Sequence, residues 1–166
     1  MSERIGISWA EMRVRLAGAR SYWVCTASPA GLPHAMPVWG VWLDERLWFS
    51  TGAGTVKARN LTANPRVSVH LESAAEVVSL SGTAAVVPAA ARPAEVDAAY
   101  AVKYALPGTG EPATIVIGSS PVFAVTPRRA CGWFEGAFEQ SMTRWHFPEG
   151  GGEPVAEAMS YPEDPA

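Results

Sequence analysis

Leu47-Trp48-Phe49-Ser50-Thr51-Gly52-Ala53-Gly54-Thr55-Val56-Lys57-Ala58-Arg59-Asn60-Leu61, followed by Asn64-Pro65-Arg66, is the stretch from which the chain is read. It predicts a strand that ends in two hydroxyls, a small-residue turn, and a short helix that starts near Thr55 and carries Lys57 and Arg59. The start of a helix gathers unpaired backbone N–H groups and the positive end of the macrodipole, so an anion such as a phosphate is well placed there. Ser50, Thr51 and Thr55 hydroxyls, the turn and helix N–H groups and the Lys57 ammonium could surround one phosphate. The same residues also fit an ordinary capped surface helix with two solvated cations. Two nucleotide loops are excluded. A Walker A loop places Lys-Ser/Thr directly after its second glycine, whereas Gly52 and Gly54 are followed by Thr55-Val56 and Ala58 follows Lys57. A dinucleotide fingerprint needs a third glycine where Lys57 stands, and the parallel-sheet context is missing.

Working back from this stretch, Asp44-Glu45 turns the chain out of a run from Pro33 to Leu43 that reads as one strand. Its two faces, Ala35, Pro37, Trp39, Val41 and Leu43 against Met36, Val38, Gly40 and Trp42, are both apolar, so both are expected to be covered, one by the core and one by a partner subunit. Pro37 lacks a ladder donor and Gly40 lacks a side chain, which suits an edge, a bulge or the close approach of a flat ligand. Ser21 to Ala27 is a further strand, closed by the turn Ser28-Pro29-Ala30-Gly31. Ser8-Trp9-Ala10-Glu11 is a capping box that opens a helix with Trp9, Met12 and Leu16 on one face.

Working forward, Asn64-Pro65 ends the anchor helix, and Val67, Val69 and Leu71 alternate with Ser68, His70 and Glu72 in a half-exposed strand. Val77 to Val87 is a long strand with Gly82 as a bulge or bend. Pro93 opens a helix through Tyr100 and Tyr104 to Pro107-Gly108, in which Lys103 suits the C-terminal end of the dipole. Thr114–Ile117 could be strand or helix; Val122 to Trp133 and Ser141 to Phe147 are the last strands. Beyond Pro148 the chain carries five carboxylates and no base, which predicts a flexible acidic tail over 148–166 after a single domain over 1–147. Long strands joined by short turns, with inserted helices, suggest a closed or partly closed barrel.

A chain of 166 residues with 48% hydrophobic residues has room for one domain, which can bury roughly 68–70% of its extended surface. The net charge of −3 and the absence of any Lys/Arg run argue against an extended nucleic-acid footprint. Cys25 and Cys131 are isolated within strands and read as buried reduced thiols, with no zinc spacing. No apolar run of transmembrane length and no signal-peptide pattern is present, which places the chain in the cytoplasm, away from the membrane. Among the histidines, His34 follows Pro33 beside the expected cavity, while His70 and His146 read as ordinary strand residues. No paired carboxylates suggest hydrolysis, and Ser50 has no elbow motif.

Taken together, Thr26 to Gly31 leading to Pro33-His34 and Pro37-Val38-Trp39, then Phe49-Ser50-Thr51, Lys57 with Asn60-Leu61, Asn64-Pro65-Arg66-Val67 and Gly82 resemble the pyridoxamine 5′-phosphate oxidase-like split β-barrels. Within these the chain is similar to the actinobacterial flavin/deazaflavin oxidoreductases, over residues 20–90 and more loosely over the last two strands. The resemblance implies a mainly β (α+β) split β-barrel of about six to seven antiparallel strands with short flanking helices. It also implies a homodimer with cofactor sites at the subunit interface and the phosphate near Thr51, Thr55 and Lys57. The expected cofactor-binding set is Pro37, Val38, Trp39, Ser50, Thr51, Thr55, Val56, Lys57, Arg59 and Asn60.

The FMN-using oxidase has an Arg before the lysine, where this chain has Val56, and further Arg and Lys on the preceding strand, where residues 36–43 are apolar or glycine. This departure favours coenzyme F420 over FMN. The function implied is hydride transfer from a reduced deazaflavin to a small, conjugated organic substrate. The alternatives are an FMN-dependent oxidase or reductase on the same fold, or a flavin-binding protein without turnover. Arg144 in Thr143-Arg144-Trp145 could reach the cofactor tail or brace the barrel end, the second being favoured, and no catalytic acid or base is assigned.

Overall fold

The computed structural model describes residues 6–149 and 151–157. In chain order it contains α1 (Trp9–Gly18), β1 (Tyr22–Ala27), β2 (Pro33–Val38), β3 (Gly40–Leu43), β4 (Arg46–Ser50), α2 (Val56–Ala63), β5 (Arg66–His70) and β6 (Glu76–Val86). Then follow α3 (Ala94–Lys103), β7 (Val122–Phe134), α4 (Phe138–Ser141), β8 (Thr143–His146) and β9 (Val155–Glu157). All strand pairs are antiparallel, in the order β2-β1-β5-β6-β7-β4-β3, with β8 added to β7 and β9 to β8. This curled antiparallel sheet with short helices is the split barrel that the resemblance implied.

β7 is the spine. One of its edges is taken by β6 from Phe123 to Phe134; the other is shared between β4, at Val122–Val125, and β8, at Arg129–Gly132. The gap between β4 and β8 falls around Pro127, which has no N–H to leave unpaired. The ladder with β6 slips between Ser81 and Gly82, so that Ser81 faces Arg129 while Gly82 faces Pro127. A Cβ on Gly82 would stand 2.1 Å from the Thr126 carbonyl oxygen and 2.8 Å from Pro127 Cα, so only glycine fits this bulge.

The barrel interior is filled by alternate strand residues such as Tyr22, Val24, Leu47, Phe49, Val69, Leu80, Phe123, Val125 and Trp145, closed at one end by Met12 and Leu16 of α1. Each such large side chain contributes roughly 1.5–3 kcal/mol on burial. The capping box of α1 forms, with Ser8 N donating to Glu11 Oε2 at 2.8 Å and Glu11 N donating to Ser8 Oγ at 3.2 Å. Trp9 packs against Trp42, Trp145 and Phe147.

A second cluster, Val41, Trp48, Val96, Tyr100, Tyr104, Ile115, Val122 and Ala124, covers the opposite face of β3, β4 and the first half of β7. The apolar runs 47–49 and 122–125 are thus covered on both faces within one chain. For β3 the expected second cover is therefore supplied by α3 and not by a partner. β2 and β3 are also two strands, interrupted at Trp39: β2 is an edge on β1, with Leu32 and Met36 72% and 48% exposed, whereas β3 pairs with β4. Periodicity cannot show such a break, because the pairing partner changes while the apolar pattern does not.

Three further expectations change. The helix opened by Pro93 ends at Lys103, where Tyr104 takes extended angles. Thr114–Ile117 is neither strand nor helix. Within the segment expected to be a flexible tail, Val155–Glu157 adds β9 to β8; residues 158–166 lie outside the described residues. Among the described residues, no helix is long and apolar enough to cross a membrane.

Candidate functional site

The anchor stretch folds as its residue types dictate. β4 ends at Ser50, residues 51–55 turn, and Thr55 is the N-cap of α2, its Oγ1 accepting from Ala58 N at 3.3 Å and donating to Gly52 O at 2.9 Å. Thr51 Oγ1 lies 3.2 Å from Thr55 Oγ1. Because the Thr55 proton is committed to Gly52, Thr51 is the donor of that pair, and Thr55 is a cap with its hydroxyl satisfied. With Ala58 capped, the Val56 and Lys57 N–H groups of the first turn have no intrahelical acceptor.

Lys57 is half-buried and forms no hydrogen bond or ion pair with the described residues; burial lowers its pKa from the ordinary lysine value. The stretch from Arg46 to Leu71 contains no carboxylate, so no internal counter-ion is supplied by the chain around it. Close to the same turn, the Ser50 hydroxyl is buried and without a partner. An orphan hydroxyl, an unpaired desolvated ammonium and free helix N–H groups form a set rich in donors, which suits a phosphate.

The other expected residues divide. Gly40 pairs with Phe49, which brings Trp39 beside Ser50 at the open end of the β3–β4 hairpin. Pro37 is exposed, Val38 is 7% exposed, and Val56 stands out at 41%. The Trp39 ring stacks on Tyr104 at 4.6 Å between centroids and receives the Arg20 guanidinium at 5.0 Å. Arg59 is turned back, its Nη1 donating to the Gly54 carbonyl, and Asn60 is buried with its Nδ2 donating to Thr26 Oγ1 at 3.0 Å. These two brace the turn and tie α2 to β1. The structure thus sets Trp39 beside Ser50 and carries Ser50, Thr51, Val56 and Lys57 along one turn and helix start, with Thr55, Arg59 and Asn60 supporting that turn.

A second feature was not legible. Arg66 from β5 and Arg128 and Arg129 from β7 line a groove of about 890 Å³ with Thr26 and Asn64, beside the C-terminal end of α2. Arg128 lies 3.9 Å from Glu149, and Arg129 stands near enough to Glu157 to help hold its carboxyl below the usual carboxylate range. Arg129 also lines a neighbouring cavity of about 310 Å³ with Arg144 and His146. Trp145 fills the barrel end, while Arg144 is exposed on the outer face. The outward register of Arg66 and Arg129 on strands flanking Ser81 was the available signal, but their separation in sequence hides the cluster.

His70 is stacked on Trp23 with Nδ1 2.8 Å from Leu71 O, and His146 pairs with Glu157. Cys25 and Cys131 are both free and half-buried, and burial pushes both thiols up, so they remain thiols at neutral pH.

The sequence profile of pyridoxamine 5′-phosphate oxidase matches residues 8–134. A comparison with curated proteins found no match. Among solved structures, a conserved hypothetical protein from Mycobacterium tuberculosis is similar at 26% identity, covering 81% of this chain and 91% of that one, with a TM-score of 0.63. A pyridoxamine 5′-phosphate oxidase-related, FMN-binding protein from Nostoc punctiforme shares the fold at 17% identity, over 90% and 92% of the two chains, with a TM-score of 0.58. So does an F420 reductase, at 23% identity over 71% and 94%, with a TM-score of 0.55. With the split barrel and the extent of the profile match in agreement, the chain belongs to the pyridoxamine 5′-phosphate oxidase-like family.

Proposed function

We propose that the protein is an oxidoreductase that uses coenzyme F420 to pass a hydride to a small, conjugated organic substrate. The observation that carries this reading is the half-buried Lys57 without a counter-ion beside the orphan Ser50 hydroxyl, at the start of α2. Lys57 would pair with the cofactor phosphate, Thr51 and Ser50 would donate hydroxyl bonds, and the Val56 and Lys57 N–H groups would complete the clamp. Pro37 to Trp39 would form the wall beside the ring.

The deazaflavin supplies the hydride chemistry when bound. The chain's own residues orient it, hold its charge and keep the ring wall apolar. The substrate would take its proton from water or from a side chain outside the named set. Val56, exposed where a second cation would serve FMN, favours the deazaflavin over FMN, which is the second reading. A homodimer accompanies both readings: Leu32, just before β2, and Met36 on β2 are exposed and leave the ring wall open on one side, and a second subunit would cover it.

Separate titrations with purified coenzyme F420 and FMN, followed by quenching of tryptophan fluorescence, test the cofactor. Saturable quenching by F420 at lower concentration than by FMN is expected. Tight FMN binding with none by F420 would reject the first reading in favour of the second, and silence from both would reject both.

A further inference from the structure

Away from the anchor, a groove runs between α1 and α3. Ala17 of α1, Val41 and Trp42 of β3, and Ala98, Val102 and Lys103 of α3 enclose about 390 Å³. That volume falls within the range of small-molecule sites, about 300–1,000 Å³. The walls are apolar, and so are the rims: Val102 is 90% exposed, and Val14, three residues before Ala17 on the same helix face, is 72% exposed. Exposed valines on both sides of a concave apolar surface are hydrophobic area left facing water.

The polar groups around this groove are unbalanced. Lys103 Nζ donates to Gly40 O at 2.8 Å and to Tyr22 Oη at 3.0 Å, and Tyr22 in turn donates to Leu16 O at 2.5 Å. The ammonium also stands 4.7 Å from the Tyr22 ring centroid. Next to it, the Arg20 guanidinium lies 5.0 Å from the Tyr104 ring centroid. All these partners are neutral. Neither cation forms an ion pair with a described carboxylate, and the one acid of α3 held in an ion pair, Asp97, is engaged by Arg92 at 3.0 Å. The Trp42 indole N–H, buried with its ring in the floor, has no acceptor. Burial and the neighbouring Arg20 push the Lys103 ammonium down to about 8, so it is still mostly charged at neutral pH. Among the described residues, Lys103 and the orphan Trp42 N–H stand at this groove with no carboxylate paired to the ammonium, which suits an acceptor carrying negative charge.

We propose that this groove is a separate binding site for a small organic acid, whose carboxylate pairs with Lys103 and whose apolar body lies along Val41, Trp42, Ala98 and Val102. Acid and hydrocarbon are both needed: the cations attract the first, and the walls accept only the second. None of the lining residues belongs to the phosphate anchor, so the site is tested without any flavin.

The experiment is isothermal titration of the cofactor-free protein with octanoate, octanol and acetate. Octanoate should bind saturably, and octanol, which lacks the charge, and acetate, which lacks the tail, should each bind more weakly by on the order of tenfold or more. Lys103→Met keeps the aliphatic stem and should remove that advantage of octanoate over octanol. Val102→Glu places a negative charge on a rim residue that is 90% exposed, so the fold is untouched, and because it removes part of the apolar wall and adds charge repulsion it should weaken both ligands, octanoate by the larger factor. If Lys103→Met fails to fold, Val102→Glu and the ligand series decide. Absence of saturable octanoate binding, equal affinity for octanoate and octanol, or indifference of octanoate binding to Val102→Glu would each overturn the proposal.

Discussion

Removing the Lys57 ammonium would take a charge-assisted bond from the proposed anchor and little from the core, since the side chain has no partner among the described residues. Lys57→Ala should weaken cofactor binding by about 1.5–3 kcal/mol with an unchanged Tm. Fluorescence titration beside thermal melting reads both; unchanged affinity removes Lys57 from the site. The converse change, Val56→Arg, adds a second cation at an exposed position and should raise FMN affinity more than F420 affinity. Lys103 makes a different demand. Its folded pKa of about 8 lies below the ordinary lysine value of 10.5, so between these limits the folded chain binds fewer protons than the unfolded one and the Lys103 contribution to stability rises with pH. Subtracting the urea-unfolding free energies of Lys103→Met from those of the wild type at each pH isolates this slope. A flat difference across the interval would mean that Lys103 is not desolvated.

At the scale of elements, the bulge between β6 and β7 has the least tolerance. Gly82→Ala sets a Cβ against the Thr126 carbonyl and should cost about 2–4 kcal/mol, seen as a lower urea midpoint at unchanged slope. The hairpin turn between β3 and β4 carries strain of another kind: Asp44 and Glu45 both have positive φ, 51° and 56°, without the relief that glycine gives. Glu45 is held there by Arg13 at 2.6 Å and by the Trp9 indole N–H at 3.0 Å, so α1 keeps the turn in place. Elements set by neighbouring residues were legible in the sequence: the capping box at Ser8, the Thr55 start of α2, the bulge at Gly82. Elements decided by distant partners were not. The break at Trp39 depends on β2 joining β1 while β3 joins β4, and the cover on β3 comes from a helix more than fifty residues later in the chain. For the same reason the anchor could be read from one stretch, whereas the groove of Arg66, Arg128 and Arg129 exists only once β5 and β7 flank β6.

For the whole molecule, the proposed ring wall would be left unfinished on the side of β2 by a single chain. Light scattering should give a mass twice the 17.6 kDa of one chain. Met36, 48% exposed in the single chain, is a point where the assembly can be cut without touching the core. Met36→Glu should shift the protein toward the monomer and lower cofactor affinity together, leaving the far-UV circular dichroism intact. A monomeric wild type, or a monomeric variant with full affinity, would separate the cofactor site from dimerisation.

β7 has one further effect, on time rather than shape. Because a single strand carries β4 on one half and β8 on the other, with β6 along its whole opposite edge, no hinge can open between the halves without tearing that strand from its neighbours. Amide hydrogens of β6 and β7 should therefore exchange only by global unfolding, while the glycine-rich segment between α3 and β7, with Gly108, Gly110 and Gly118 at positive φ, exchanges by local opening. The phosphate corner is anchored to the slow part of the molecule through β4, and the α3 wall of the second groove adjoins the fast part. A ligand arriving at the first meets a surface already in place, and one arriving at the second meets a wall whose neighbouring segment can still move.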